Sequence, residues 1–187
     1  MIFELYPLCG KSVYPNTCLS VVIILSKNIR LFQERLNKMN HLKYWLDQQL
    51  AGNRIPLNLP TDEQDLNGLA LSSAIAAHAA WIDKLQLTLK GQNPEEYDPQ
   101  VVGADHLCAL GKWLHGNEGQ VLAKFPEYAD LKAKHAAFHE CAGGILKKHS
   151  QKHFADAMFD LRHKLVDLSQ DVQVCLVSLL LAYKGEK

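Results

Sequence analysis

The sequence has no surplus of either charge: 20 Lys and Arg stand against 20 Asp and Glu. Nothing in that balance advertises nucleic acid or an anionic membrane as a partner, although nine histidines change charge near about pH 6.5. It also lacks a CxxC pair. The cysteines, at positions 9, 18, 108, 141 and 175, are scattered and odd in number, which argues against a disulfide framework and for a reducing, cytoplasmic setting. The apolar run Cys18 to Leu25 falls far below the roughly 18 residues that span a bilayer. No basic region precedes it, so no signal peptide and no membrane insertion are expected. A chain of 187 residues can hold one good core and an appendage, and is too short for a receptor with its own output machinery.

What is present concentrates between Asp105 and His139. Cys108 stands in a CALGKW context, and His135 and His139 follow across a loop, four residues apart. Positions four apart on a helix project from one face, so two imidazoles placed this way can reach one ion, and a thiolate supplies a third donor. His78, in an HAAW segment, is the fourth candidate. It interrupts an apolar stripe of Leu71, Ile75, Ile82 and Leu85, where a histidine by itself more often signals a hydrogen-bonded core residue than a ligand. One cysteine and three histidines suit zinc, which takes mixed sulfur and nitrogen donors in tetrahedral array.

The three blocks His78-Ala-Ala-Trp81, Cys108-Ala-Leu-Gly111-Lys-Trp113 and His135-Ala-Ala-Phe138-His139 resemble, in order and spacing, the signature of the chemoreceptor zinc-binding (CZB) domain. The resemblance runs from about Leu66 to Leu181. It implies one zinc held by His78, Cys108, His135 and His139 inside a small helical bundle. It also implies a regulatory role, because members are usually cytoplasmic modules attached to chemoreceptors or diguanylate cyclases, in which zinc occupancy or oxidation of the ligand cysteine biases the output. No cyclase motif, long receptor hairpin or transmembrane pair accompanies the blocks here.

In chain order, residues 1–26 carry no clear period and no functional reading: the Val-Val-Ile-Ile cluster reads as a short strand, the segment as a mobile arm, or the true start lies downstream, although Met39 falls inside the pattern that follows. From Asn28 to Leu50, Ile29, Phe32, Leu36, Met39, Leu46 and Leu50 recur at three-and-four spacing with Lys43 as the one polar member. This is either a coiled-coil-like helix that pairs with a partner or an amphipathic helix laid on its own bundle. Gly52 ends it, and Pro56 and Pro60 make a linker. Thr61 with Gln64 reads as a capping box that opens a long helix to about Lys90. Asp98-Pro99 opens the helix holding Cys108, which ends near Gly116. Pro126 opens a third helix, with Leu131, His135, Phe138, His139, Ala142, Ile145 and Leu146 as its inner stripe. A last helix from about Gln151 places Phe154, Met158, Leu161, Leu165, Leu168, Val172, Cys175 and Leu179 on one face.

The expectation is therefore an all-α, four-helix-type bundle over 61–187, an amphipathic helix and linker over 27–60, and an unassigned segment 1–26. Four protein ligands leave no open position on zinc, so the site reads as sensory or structural and the chain as no enzyme. A signalling partner or a second copy would dock on the N-terminal or C-terminal helix. The competing reading is a structural or zinc-buffering protein with no switch. A cysteine nucleophile at Cys108 is disfavoured because a closed metal site would bury its thiolate, and a di-iron bundle because no Glu-x-x-His pair accompanies His78, His135 or His139. His149 and His153, also four apart, lie among Lys147, Lys148 and Lys152 and are expected to be solvated. His41, His106, His115 and His163 have no motif support.

Overall fold

The structure, a computed structural model, describes residues 15–57, 59 and 65–186. The described chain divides into two compact units, one ending at His41 and one running from Leu42. Helix α1 (Pro15–Leu50) begins well before the expected Asn28, so the Val-Val-Ile-Ile run is helical and not a strand. In the first unit the apolar side chains Ile24, Ile29, Phe32 and Leu36 are exposed. In the second unit, Leu42 and Trp45 are the α1 residues buried in the core, while Lys43 and Leu50 are exposed. The end of α1 thus presents a face rotated from the expected seam. The Trp45 indole and the Gln49 amide both donate to the Ile55 carbonyl, at 3.0 and 2.8 Å, which folds the segment after the helix back onto it.

The capping box at Thr61 and Gln64 lies outside the described residues; the long helix itself runs from Leu71. Residues 65–70 form a two-stranded antiparallel hairpin, β1 (Asp65–Leu66) and β2 (Leu69–Ala70). Asn67 and Gly68 at its tip have φ of 49° and 87°, the left-handed pair that a tight hairpin turn requires. The Asp65 carboxylate accepts from the Gly68 N–H at 2.7 Å, and the Trp113 indole donates to the Asn67 carbonyl at 3.0 Å, which fixes the hairpin to the core. Helix α2 (Leu71–Leu89) follows directly.

The remainder is an all-α, four-helix-type bundle built from α2, a segmented second element, α6 (Pro126–Ser150) and a C-terminal helix. The segmented element comprises α3 (Pro99–Gly103), a single 3-10 turn at Asp105–Leu107, α4 (Ala109–His115) and α5 (Asn117–Gln120). Asp98 caps α3 by accepting from the Gln100 N–H at 2.8 Å, as its position before Pro99 leads one to expect. α6 is the central element, packed against α3 and the C-terminal helix. All seven residues of its expected inner stripe are buried.

The C-terminal helix starts at Phe154 as α7 (Phe154–Phe159), loosens into a π-helical stretch at Asp160–Leu165 and continues as α8 (Val166–Gly185). A π turn takes up an extra residue, and the inward face broadens beyond it: Leu161 and Leu165 are buried, Val172 and Leu179 keep their expected places inside, and Ser169 and Leu176 are buried where Leu168 and Cys175 are only half-buried. Phe154, the first residue of the expected stripe, is exposed. By length and composition alone, Phe154–Gly185, which contains an 18-residue window of mean hydropathy 1.6, is apolar enough to cross a membrane. Leu161, Leu165, Val172, Leu176 and Leu179 are buried in the bundle, and a core helix needs the same composition.

Candidate metal centre

Each candidate ligand is positioned by a different local device. His78 lies on α2, buried, and its Nδ1 donates to the Ala74 carbonyl at 2.8 Å, one turn back on the same helix. His135 and His139 lie on the buried face of α6. The Nδ1 of His139 donates to the Val102 carbonyl at 2.7 Å. That carbonyl comes within reach because α3 and α6 meet at glycines: a β-carbon on Gly143 would lie 2.6 Å from the Pro99 carbonyl oxygen and 2.9 Å from Gly103 Cα.

Cys108 is not inside a helix, as its spacing suggested, but is the N-cap of α4. Its Sγ accepts from the Gly111 N–H at 3.2 Å. The cap competes with helical continuation and so breaks the expected single helix from Pro99 into segments. Gly111 is required by the turn that precedes it, since a β-carbon there would sit 1.7 Å from the Asp105 carbonyl oxygen.

These devices converge. Ligand atoms of His78, His135 and His139 lie within 4.8 Å of one another, and Cys108 Sγ is 3.2 Å from His135 Nε2. A tetrahedral zinc with ordinary bond lengths spaces its donors by about 3.4–3.6 Å. Because Nδ1 of both His78 and His139 is committed to a carbonyl, each presents Nε2 to the cluster, which is the orientation outer hydrogen bonds impose on metal-bound imidazoles. The Nε2 of His78 is buried without a hydrogen-bond partner. Such a group costs about 1–3 kcal/mol, and a metal bond removes that cost. The donor set therefore fits zinc.

The electrostatics agree. Burial, together with the neighbouring His139 and His78, lowers the His135 pKa to about 3, and burial lowers His78 despite the opposing bond to Ala74. Both imidazoles are thus neutral, as ligation requires. Burial pushes the Cys108 thiol up, with the Gly111 N–H acting against it, so this sulfur carries a proton that a metal must displace. A cavity of about 310 Å³ borders His78, Cys108 and His139 between otherwise apolar walls that include Trp81 and Trp113.

Of the histidines without motif support, His163 stacks on Phe159, whereas His115 and His106 flank Asp105 at 3.2 and 3.7 Å. His153 is exposed and His149 packs beside Phe154, away from the cluster. Asp105 had no assigned part in the sequence. Its carboxylate nevertheless lies 4.0 Å from His135 Nδ1.

A helical bundle that brings three buried imidazoles and one thiol to a point is, as a class, a metal-binding module. Residues 78–146 match the family model described as "chemoreceptor zinc-binding domain" (CZB), a span that contains all four candidates. Residues 78–146 thus carry a CZB domain, a zinc-binding signalling module from a regulatory and not a catalytic family, with Zn2+ as its cofactor. No curated protein and no solved structure matches the chain.

Proposed function

We propose that His78, Cys108, His135 and His139 are the four zinc ligands and that the chain is a cytoplasmic sensor in which the state of this site sets the order of the bundle for a signalling partner or a second copy. The observation that carries this is the convergence of the four donors with His78 Nε2 buried and unpartnered. Bound zinc supplies a Lewis-acid centre that holds a thiolate and neutral imidazoles. The residues supply the coupling. His78 belongs to α2, Cys108 begins α4, and His135 and His139 belong to α6, so a common ligand ties three elements and its free energy becomes bundle stability. Cys108 is the responsive member: oxidation of its sulfur weakens both a ligand and a cap. Zinc response and oxidant response, in chemotaxis or cyclic-di-GMP signalling, thus act through one residue.

The test is elemental analysis of protein purified without a metal-affinity tag, beside Cys108→Ala and His139→Ala, followed by hydrogen exchange and dimerisation measured with and without zinc. The expected result is about one zinc per chain, lost in both variants, with a zinc-dependent change in exchange or self-association that Cys108→Ala lacks. No metal in the parent, even after zinc is added, refutes the ligand set. Metal without any zinc-dependent change refutes the sensor and leaves a structural or buffering site.

A further inference from the structure

The three imidazoles of the cluster are not held alike. His78 and His139 each give their Nδ1 proton to a backbone carbonyl, at 2.8 and 2.7 Å. His135 is the most buried of the three, at 0% exposure, and its Nε2 faces Cys108 Sγ. Its Nδ1 has no hydrogen-bond partner among the described residues. An oxygen of the Asp105 carboxylate lies 4.0 Å from that nitrogen.

That carboxylate is held in place but can adjust. The Asp105 carbonyl is pressed against Gly111 and lies 3.6 Å from Cys108 Sγ, so the residue belongs to the same tight turn as the sulfur. Its side chain is 24% exposed, and the Oδ2 that pairs with His115 at 3.2 Å is the same oxygen that lies 4.0 Å from His135, with lone-pair capacity for both. A shift of about 1 Å brings it within hydrogen-bond range of His135. Charge points the same way. A divalent ion with one thiolate and three neutral imidazoles leaves one uncompensated positive charge in a buried site, and a single carboxylate beside it neutralises that charge.

We infer that Asp105 is a positioning residue of the zinc site, taking the Nδ1 proton of His135 and balancing the residual charge, with His115 holding the carboxylate from its outer side. This rests on the four-ligand reading. It makes the site a donor set with two carbonyl-held imidazoles and one carboxylate-held imidazole, and it gives a role to a residue that touches no metal.

The test is zinc affinity by competition with a chromophoric chelator for the parent, Asp105→Ala, Asp105→Asn and His135→Ala. It is joined to long-range 1H–15N spectra of the imidazole nitrogens in the zinc-loaded proteins. The expected result is a 10- to 100-fold weaker affinity in Asp105→Ala, the size typical for loss of an outer-shell partner. The protected Nδ1–H of His135 should be lost while those of His78 and His139 persist. Asp105→Asn keeps an acceptor oxygen without the charge, so it should retain the His135 proton signal and lose less affinity; this variant decides the matter if Asp105→Ala does not fold. An affinity in Asp105→Ala within about twofold of the parent, well below the outer-shell range, overturns the inference, as does equal disturbance of all three Nδ1–H signals. If His135→Ala binds zinc like the parent, the ligand set itself is wrong and this inference goes with it. If His135→Ala fails to bind and Asp105→Ala binds normally, only the inference falls.

Discussion

Gly143 and Gly144 are neighbours in the middle of α6, and the structure assigns them opposite responses to the same change. A β-carbon on Gly144 meets nothing within 4 Å, so Gly144→Ala gains the helix-interior advantage of alanine, about 0.5–1 kcal/mol. On Gly143 the same carbon would lie 2.6 Å from the Pro99 carbonyl oxygen, 2.9 Å from Gly103 Cα and 3.1 Å from Gly103 N. All three are backbone atoms, so no flexible side chain can yield, and α3 must move away from α6. Overpacking of this kind costs about 1–3 kcal/mol or somewhat more, which outweighs the propensity gain and leaves a net loss of about 1–2 kcal/mol. The two variants should therefore differ by about 2–3 kcal/mol, or about 5–10 °C in Tm for a unit of this size. Circular dichroism during heating and in urea, on metal-free protein, reads the difference. Gly143→Ala should also weaken zinc binding about tenfold, because moving α3 takes the Val102 carbonyl from His139 and removes an outer-shell bond; Gly144→Ala should not. A Gly143→Ala protein as stable as Gly144→Ala would refute the close packing from which the position of His139 is argued.

Zinc at about 100 times its dissociation constant should stabilise the parent by about 2.7 kcal/mol, and a chelator should reverse this; the effect should be absent in Cys108→Ala, as scanning calorimetry would reveal. Because burial raises the Cys108 thiol and His135 is already neutral, zinc binding between about pH 7.5 and 8.5 should release about one proton from the sulfur. Calorimetry in buffers of different ionisation enthalpy counts it, and Cys108→Ser should change the count. Leu131, fully buried on α6, should cost about 2–5 kcal/mol as Leu131→Ala, measured by urea unfolding. The Lys148 and Lys164 bonds to Asp160 lower its pKa. Its stabilising contribution is therefore full above the ordinary carboxylate range and lost as pH falls through the lowered value. Asp160→Asn should flatten the acid limb of the stability curve, and an unchanged limb would count against the ion pairs.

The pairing of His135 with His139 was legible because its signal is local: the two need only helical spacing to share a face. The inner stripe of α6 was legible for the same reason. What escaped was local competition with the helix. Cys108 bonding the Gly111 N–H turns an interior position into a cap, and periodicity does not report this. The Asn67-Gly68 pair was a readable hairpin signal, hidden by strands only two residues long. The π stretch at Asp160–Leu165 turns the buried face by less than a turn, so a strict stripe drawn through it keeps Leu161, Leu165, Val172 and Leu179 but misses Ser169 and Leu176. Asp105 escaped because its relation to His135 spans 30 positions and depends on the fold.

On the proposed ligand set, Cys108 would have two tenants for one sulfur: the backbone of α4 and the ion. A helix whose first turn leans on a ligand atom cannot keep its beginning unchanged when that atom is oxidised or released, because the Gly111 N–H then loses the acceptor that fixed it. The first movement expected after a chemical event at the sulfur is accordingly a loosening at Ala109–Gly111, where Leu110 is buried in the core and Trp113 follows. Since the Trp113 indole is bonded to the hairpin at Asn67, a disturbance that reaches Trp113 is passed to the segment leading into α2. A reporter placed on the hairpin would register the state of the sulfur without touching the site.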